Sequence, residues 1–367
     1  MPHLLVDISF HGYGHLSQTA PVVNALARHI PELRVTVRTA APIAVLQQRF
    51  QCPFKHIPVA LDFGLTMANA VDVLVDESVA RYRDFHADWD TKVQHEAGLM
   101  RQLAPDLLLA NIPYLSLAAA HAAGVPAVGL CSLNWADLYR HYCGQSHYSD
   151  DIHAQMLAAY NSAQCFLQPQ PSMSMPLLHN TRPISTIAKK GQYRREAIAA
   201  QLAEGSAAER WVLVAMGGME FRLPMERWPR IPGVRWLIPA AWNIVREDFT
   251  AFESLDLSFG DVLTSVDAIL TKPGYGTFAE AACAGIPLLY VSRPDWPEEP
   301  YLVGWKQQYG ACLKVERTAL ETGELQPLLQ QLWAAPPATL PESSGAEEAA
   351  RYLSDLMCSG DLLSNPA

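Results

Sequence analysis

The residues with the most chemistry in them lie in TKPGYGTFAEAACAGIPLLYV, where an apolar strand runs into a glycine loop and then a helix. Gly274 and Gly276 let an anion approach the backbone, since a Cβ at either position would stand in its way. Thr277 falls in the first helical turn, where unpaired N–H groups and the helix dipole favour negative charge, and it can cap the helix or bond a phosphate oxygen. Lys272 adds a cation beside the loop. Glu280, one turn into the helix, can accept from the two hydroxyls of a ribose. The same residues also read as a capped helix with a favourable acid near its positive end. Gly217-Gly218, after the apolar run WVLVAM, is a second close-approach loop or a plain turn.

A second constellation opens the chain. His11-Gly12-Tyr13-Gly14-His15 follows a short apolar run, and a helical pattern extends from Gln18 to His29. A neutral imidazole, with a solution pKa near ~6.5, can take a proton from a hydroxyl at cellular pH. His15 is the stronger candidate because glycines precede it and a helix follows, although a histidine after a strand can also be structural; His11 is the weaker one. Asp88-Trp89-Asp90 has the spacing of a metal-binding DxD motif, yet it lies in a polar, helical stretch with no strand before it and is not read as a metal site.

Several chemistries find no motif. The chain has no GxSxG nucleophile elbow and no GxxxxGK(S/T) phosphate loop, and the near-match to GxGxxG at Gly12 and Gly14 has Ser17 in the third position. Its seven cysteines are scattered without a CxxC pair, which reads as reduced thiols rather than a zinc site. A net charge of −10 offers no general attraction to nucleic acid. The N-terminus lacks a basic segment followed by a long apolar one, and no stretch approaches ~18 apolar residues, so a cytoplasmic location is expected.

The elements that must position these residues alternate twice. Strands are expected at 3–10, 34–39, 54–59 and 106–110 and in VPAVGL, with helices between them, which implies parallel strands in a doubly wound domain over residues 1–170. The stretch from Gln168 to Arg182, with three prolines and two methionines, reads as a linker. Alternation restarts with strands at 211–215, 234–238, 268–270 and 286–291, giving a second α/β domain over 185–340 and a last amphipathic helix in 341–367. At 367 residues, two domains are the default.

The run FGDVLTSVDAILTKPGYGTFAEAACAGIPLLYVSRPDWPEEPYLV resembles the donor half of GT-B glycosyltransferases, in particular MurG-type N-acetylglucosaminyltransferases and processive glycolipid synthases with a KPGxxTxxEA signature. It is similar as well to the glycosyltransferase-like N-terminal domain of plant arabinokinases. HGYGHLSQTAP resembles the GGxGHxxP acceptor-side loop of the same superfamily.

The resemblance implies two Rossmann-like domains facing across a cleft, the last helix returning to the first. It implies a transferase moving a sugar from a nucleotide-sugar, UDP-linked as in relatives, to an acceptor hydroxyl with inversion and without a bound metal or other cofactor. Gly274, Tyr275, Gly276 and Thr277 would line the diphosphate, with Lys272, Gly217 and Gly218 beside them; Glu280 would hold the ribose, and the backbone near Asp261 and Val262 would meet the base. Glu298 and Glu299, preceded here by the unusual Arg293-Pro294-Asp295-Trp296, would face the donor sugar together with Arg293, unless they form a solvated acidic loop. His15 matches the histidine that is the base in some members and a positioning residue in others. Gly12, Gly14 and Asn134 would lie on the acceptor side, Asn134 being equally readable as a turn former. Two further readings stay open: a nucleotide-sugar 2-epimerase of the same fold, and a non-catalytic nucleotide-sugar-binding module.

Overall fold

The apolar run near the N-terminus forms β1 (His3–Ile8), whose six residues are all buried, as a central parallel strand requires. The computed structural model describes residues 1–202, 209–218 and 221–358. They fall into two units, the first made of described residues in 1–68, 73–187 and 343–358, the second of those in 69–72 and 188–342.

In the first unit β1 is followed by α1 (Gly14–His29), β2 (Arg34–Arg38), α2 (Ile43–Arg49), β3 (Lys55–Ile57), α3 (Val75–His86), α4 (Trp89–Leu103), β4 (Leu107–Asn111), α5 (Tyr114–Ala123), β5 (Ala127–Leu130), α6 (Trp135–Cys143), α7 (Ser149–Asn161), β6 (Cys165–Pro169) and β7 (Thr181–Ile184). The strands form one parallel sheet in the order β3-β2-β1-β4-β5-β6-β7. α1 starts four residues before its apolar periodicity does. Gly12, at φ +96°, makes the turn, and the Ser17 hydroxyl donates to Gly14 O at 2.7 Å inside the first helical turn.

The proline- and methionine-rich stretch 168–182 is not a bare connection: it carries the end of β6 and leads into β7, which pairs with β6 as the sheet's seventh strand. Short, half-exposed and holding Pro183, β7 suits an edge, where a missing N–H breaks no ladder.

In the second unit the order is α8 (Arg195–Ala199), β8 (Arg210–Ala215), β9 (Val234–Ile238), β10 (Phe249–Ala251), α9 (Phe259–Ser265), β11 (Ala268–Thr271), α10 (Tyr275–Ala284), β12 (Leu288–Val291), α11 (Glu299–Gln308), β13 (Cys312–Val315), α12 (Arg317–Thr322) and α13 (Gln326–Trp333). Its parallel sheet reads β10-β9-β8-β11-β12-β13. The last helix, α14 (Gly345–Cys358), belongs to the first unit and packs on α1. Glu347 in its first turn pairs with Arg28 and His29 at the end of α1, so that an acid at a positive helix end meets bases at a negative one. Gly345 is required there, since a Cβ would come within 1.9 Å of Ser185 O.

In both sheets the strand order reverses beside the first strand, between β1 and β4 and between β8 and β11. Helices leave such neighbours on opposite faces and open a crevice at the strands' carboxyl ends.

One buried charge network braces the first sheet. Asp7 and Arg38 are directly opposed on β1 and β2, and Arg38 donates to both Asp7 oxygens at 2.8 and 2.6 Å and to Glu96 of α4 at 2.8 Å. Burial alone would lower the Arg38 pKa, but Asp7 and then Glu96 outweigh it and hold it above its ordinary value. Arg38→Met leaves a fully buried Asp7 without its partner. Urea unfolding of this variant is expected to show the first unit destabilised by about 3 to 5 kcal/mol.

Candidate functional site

At the carboxyl ends of β1 and β4, Ser9 N donates to Asn111 O at 2.8 Å, which extends the ladder one residue into the loop. Past it, a Cβ at Gly12 or Gly14 would meet no atom within 4 Å, so neither glycine is there to relieve packing. His15 follows in the first turn of α1, 6% exposed. Its Nδ1 donates to Asn111 Oδ1 at 2.9 Å, and the Asn111 amide is oriented by donating to His15 O and Gln18 Oε1. The proton therefore sits on Nδ1 and the lone pair on Nε2. Burial lowers the imidazole pKa to about 4, with the Asn111 hydrogen bond opposing, so the ring is neutral at cellular pH.

Asp62 and Trp135 complete this cluster. Trp135 Nε1 donates to Asp62 Oδ2 at 2.8 Å, and the Ser9 hydroxyl donates to the same oxygen. Trp135 lies against both histidines, with ring centroids 5.3 Å from His11 and 5.6 Å from His15. Gly64, at φ +60°, allows this packing, because a Cβ would reach within 2.7 Å of the indole. Burial pushes the Asp62 carboxyl up to about 6, although the Ser9 and Trp135 hydrogen bonds pull it down.

Neither Asp62 nor Asn111 was signalled by a motif. The one cue for Asp62 is an acid inside the otherwise apolar VALDFGL, and Asn111 only closes the run LLLAN. Asn134, by contrast, is committed elsewhere: fully buried, it accepts from Asp137 N and donates to the Asp137 carboxylate, capping α6.

In the second unit the ends of β8 and β11 are clamped together, Thr271 Oγ1 donating to Ala215 O at 2.6 Å. The loops that follow converge on Lys272. A Cβ at Gly217, itself at φ +82°, would lie 3.7 Å from Lys272 Nζ, and one at Gly274 would lie 3.8 Å from it. Gly218 is exposed beside Gly217. α10 starts after Gly274 with no side-chain cap and no acid in its first turn, so Gly276 and Thr277 present its leading amides without an internal acceptor. Tyr275 is buried and offers only its backbone; Glu280 is half-buried one turn further on.

Burial pulls the Lys272 ammonium down to about 7, the Arg293 guanidinium adding to the shift and Glu298 opposing it. Arg293 stacks on Trp296 at 3.7 Å, and Trp296 Nε1 donates to Glu298. The two acids of the pair then part. Glu299 accepts from the Ser292 hydroxyl at 2.6 Å and from Arg293 N, and so fixes the loop after β12.

Around α9, Ser258 caps the helix, Asp261 accepts from Gln192 N at 2.7 Å, and Val262 is fully buried. A Cβ at Gly191 would come within 2.0 Å of Gly260 O, so residues 191–192 lie directly on this helix start. Asp88 and Asp90 stand at the beginning of α4. Among the described residues, no group of three or more His, Cys, Asp or Glu is placed to hold a metal ion, and no helix is long and apolar enough to cross a membrane.

The raised Asp62 pKa has a measurable sign. The fold favours the protonated acid, so the penalty is absent below the ordinary carboxylate pKa and complete above about 6. In an Asp62→Asn variant the side-chain amide oxygen accepts the same two hydrogen bonds without charge. Denaturant titrations are expected to find Asp62→Asn more stable than wild type by about 1 to 2 kcal/mol at pH 8, with the gain vanishing towards pH 4.

No family model matches the chain. In sequence it is similar to L-arabinokinase of Arabidopsis thaliana, 24% identical over 374 residues that cover 97% of this chain and 35% of that protein, so the chain spans only about a third of its length. Among solved structures it is similar to the calicheamicin glycosyltransferase CalG4, with a TM-score of 0.60, 17% identity and coverage of 98% of this chain and 94% of the other. Arabidopsis thaliana UGT89C1 complexed with UDP gives 0.56, 15%, 98% and 100%. The glycosyltransferase VinC in complex with dTDP gives 0.54, 17%, 98% and 98%. At such identities the likeness is one of fold, and the fold of this chain is that of GT-B glycosyltransferases, with a doubly wound parallel sheet in each unit.

Proposed function

We propose that this chain is a glycosyltransferase that moves a sugar from a nucleoside diphosphate sugar to an acceptor hydroxyl. One observation carries the reading: at the β8/β11 reversal, two glycine loops and an uncapped helix start surround a lysine that makes no ion pair among the described residues. A diphosphate supplies the negative charge and the acceptor oxygens that this arrangement lacks. That the structures of UGT89C1 and VinC hold UDP and dTDP supports the same ligand class.

In the reaction, the acceptor oxygen attacks the anomeric carbon, the bond to the diphosphate breaks with its electron pair going to the phosphate oxygen, and the hydroxyl proton passes to His15 Nε2. Displacement from the opposite face inverts the centre. Helix amides, Lys272 and Arg293 neutralise the departing diphosphate, so the chemistry makes no demand for a metal. Glu280 receives the ribose hydroxyls, and Glu298, to which Trp296 Nε1 donates, faces the sugar.

A second reading has its own support. The likeness to L-arabinokinase covers only that part of a longer protein, and the partner of His15 is the neutral Asn111, which stabilises an imidazolium less than a carboxylate would. A nucleotide-sugar-binding module without turnover fits both facts.

A thermal-shift panel of UDP-, dTDP-, GDP- and ADP-sugars separates these possibilities. One nucleotide class is expected to stabilise the protein, by about 2.7 kcal/mol at a hundred times its Kd, and Glu280→Ala to remove most of the shift. His15→Ala is expected to keep the shift and lose about 100-fold or more in transfer to an acceptor. Binding in wild type with no product from any acceptor identifies the module, and a change of sugar without an acceptor identifies an epimerase.

A further inference from the structure

We infer that Gln18 is a positioning residue for the proton transfer: acting through Asn111, it holds His15 in the one tautomer that can serve as a base. Its part in catalysis rests on the role proposed above for His15, whereas its effect on the imidazole does not. Neutral imidazole in water carries its proton mostly on Nε2. A histidine in that form would present an N–H to the acceptor hydroxyl and could not take its proton. The site reverses this preference with a run of buried polar groups. His15 Nδ1 donates to Asn111 Oδ1 at 2.9 Å, Asn111 Nδ2 to Gln18 Oε1 at 3.3 Å, and Gln18 Nε2 to Ser132 Oγ at 2.8 Å. Gln18 lies one turn after His15 on the same face of α1, Asn111 ends β4, and Ser132 follows β5. All four side chains are buried, so bulk water does not compete for their hydrogen bonds.

Asn111 has two ways to sit. Turned about its last bond it would offer Nδ2 to His15 Nδ1, which would then accept, and the imidazole proton would move to Nε2. The Cys131 thiol, with Sγ 3.7 Å from Nδ1, can donate to the same nitrogen and would support that form. Two acceptors oppose the turn by claiming Nδ2, His15 O and Gln18 Oε1, each at 3.3 Å. His15 O already receives the Thr19 hydroxyl at 2.8 Å, so Gln18 Oε1 is the less shared of the two. Gln18 cannot turn by itself, because its Nε2 would then face Asn111 Nδ2, donor against donor. A turn of both amides together sets Asn111 Oδ1 against His15 O, oxygen against oxygen. The array therefore has one polarity, and Gln18 transmits it from the end of β5 to the imidazole.

Nitrogen-15 NMR of histidine-labelled protein tests this without any ligand, His15→Ala serving to assign the His15 signals. At neutral pH, wild type is expected to show a protonated Nδ1 and an unprotonated Nε2. Gln18→Met, close in volume but without a hydrogen bond, is expected to give signals averaged towards the opposite tautomer. In transfer assays the same variant is expected to lose about 3- to 10-fold in kcat with the donor KM unchanged. Gln18→Glu is expected to keep the wild-type signals and most of the rate, because its carboxylate accepts both from Asn111 and from the Ser132 hydroxyl. A residue that only filled space would give the reverse order, Met being tolerated and a buried Glu not. Unmoved signals of His3 and His86 report that the first unit is intact. Where these move in Gln18→Met, Ser132→Ala tests the array from its far end and is expected to shift the His15 signals in the same direction, less far. A protonated Nε2 in wild type, or wild-type His15 signals in both Gln18→Met and Ser132→Ala, overturns the inference and leaves the donor site standing. Transfer by His15→Ala at the wild-type rate instead removes the base itself, and with it the part of Gln18 in catalysis, whatever the tautomer.

Discussion

A parallel sheet delivers all its strand carboxyl ends to one edge, and everything functional in this chain depends on that constraint. Where the strand order reverses, adjacent strands send their helices to opposite faces, and the loops between them are left with backbone that neither helix covers. The protein ties those loops to each other with hydrogen bonds: Ser9 N to Asn111 O and Ile112 N to Ser9 Oγ at the β1/β4 reversal, and Thr271 Oγ1 to Ala215 O at the β8/β11 reversal. Each bond sits at the limit of regular pairing, so the last ordered point of the sheet is also the first point of the site. The glycines come directly after.

This explains why much of the architecture was legible in the sequence and why some of it was not. Strands buried on both faces must be apolar throughout, and LLLAN, WVLVA, AILT and LLYV announced themselves as β4, β8, β11 and β12. β7 and β13 are covered less completely and carry TRPI and CLKV, patterns that no periodicity separates from loop. Glycine loops were legible for the same reason as the strands, because they mark a backbone demand that few other residues meet. The partners that give those loops their chemistry were not. Asn111 and Asp62 act across 96 and 73 positions of chain, on His15 and Trp135, and only the folded sheet brings them there. Two polar residues at motif positions, Asn134 and Glu299, also satisfy backbone groups of their own loops, which the sequence does not show.

Perturbed proton affinity does not by itself mark a functional residue in this fold. His86 is lowered to about 4 by burial, as far as His15, yet it packs against Trp89 and Tyr114 and is hydrogen-bonded at both nitrogens, to Gln155 and to the Tyr114 hydroxyl. Lys306 on α11 is as buried as any lysine in the chain and is lowered too, but its Nζ lies by Gly310, next to Ala338, away from the carboxyl ends of the strands. Arg38 is shifted the other way, and its network is complete.

What distinguishes His15 and Lys272 is the conjunction of desolvation with glycines that no packing demand explains. Gly12 and Gly14 border empty space, and Gly217 and Gly274 stand off from Lys272 by distances at which a Cβ would fit without a clash. At Gly14 and Gly274 a side chain would meet no clash and would be resented only by something approaching the backbone from outside, whereas Gly12 and Gly217 are also required by their positive φ. Burial of a titratable group against structure produces a satisfied residue such as His86. Under the proposed function, burial at the rim of such a glycine loop leaves a group whose further partner is the ligand, an acceptor hydroxyl for the His15 imidazole and phosphate for the Lys272 amine.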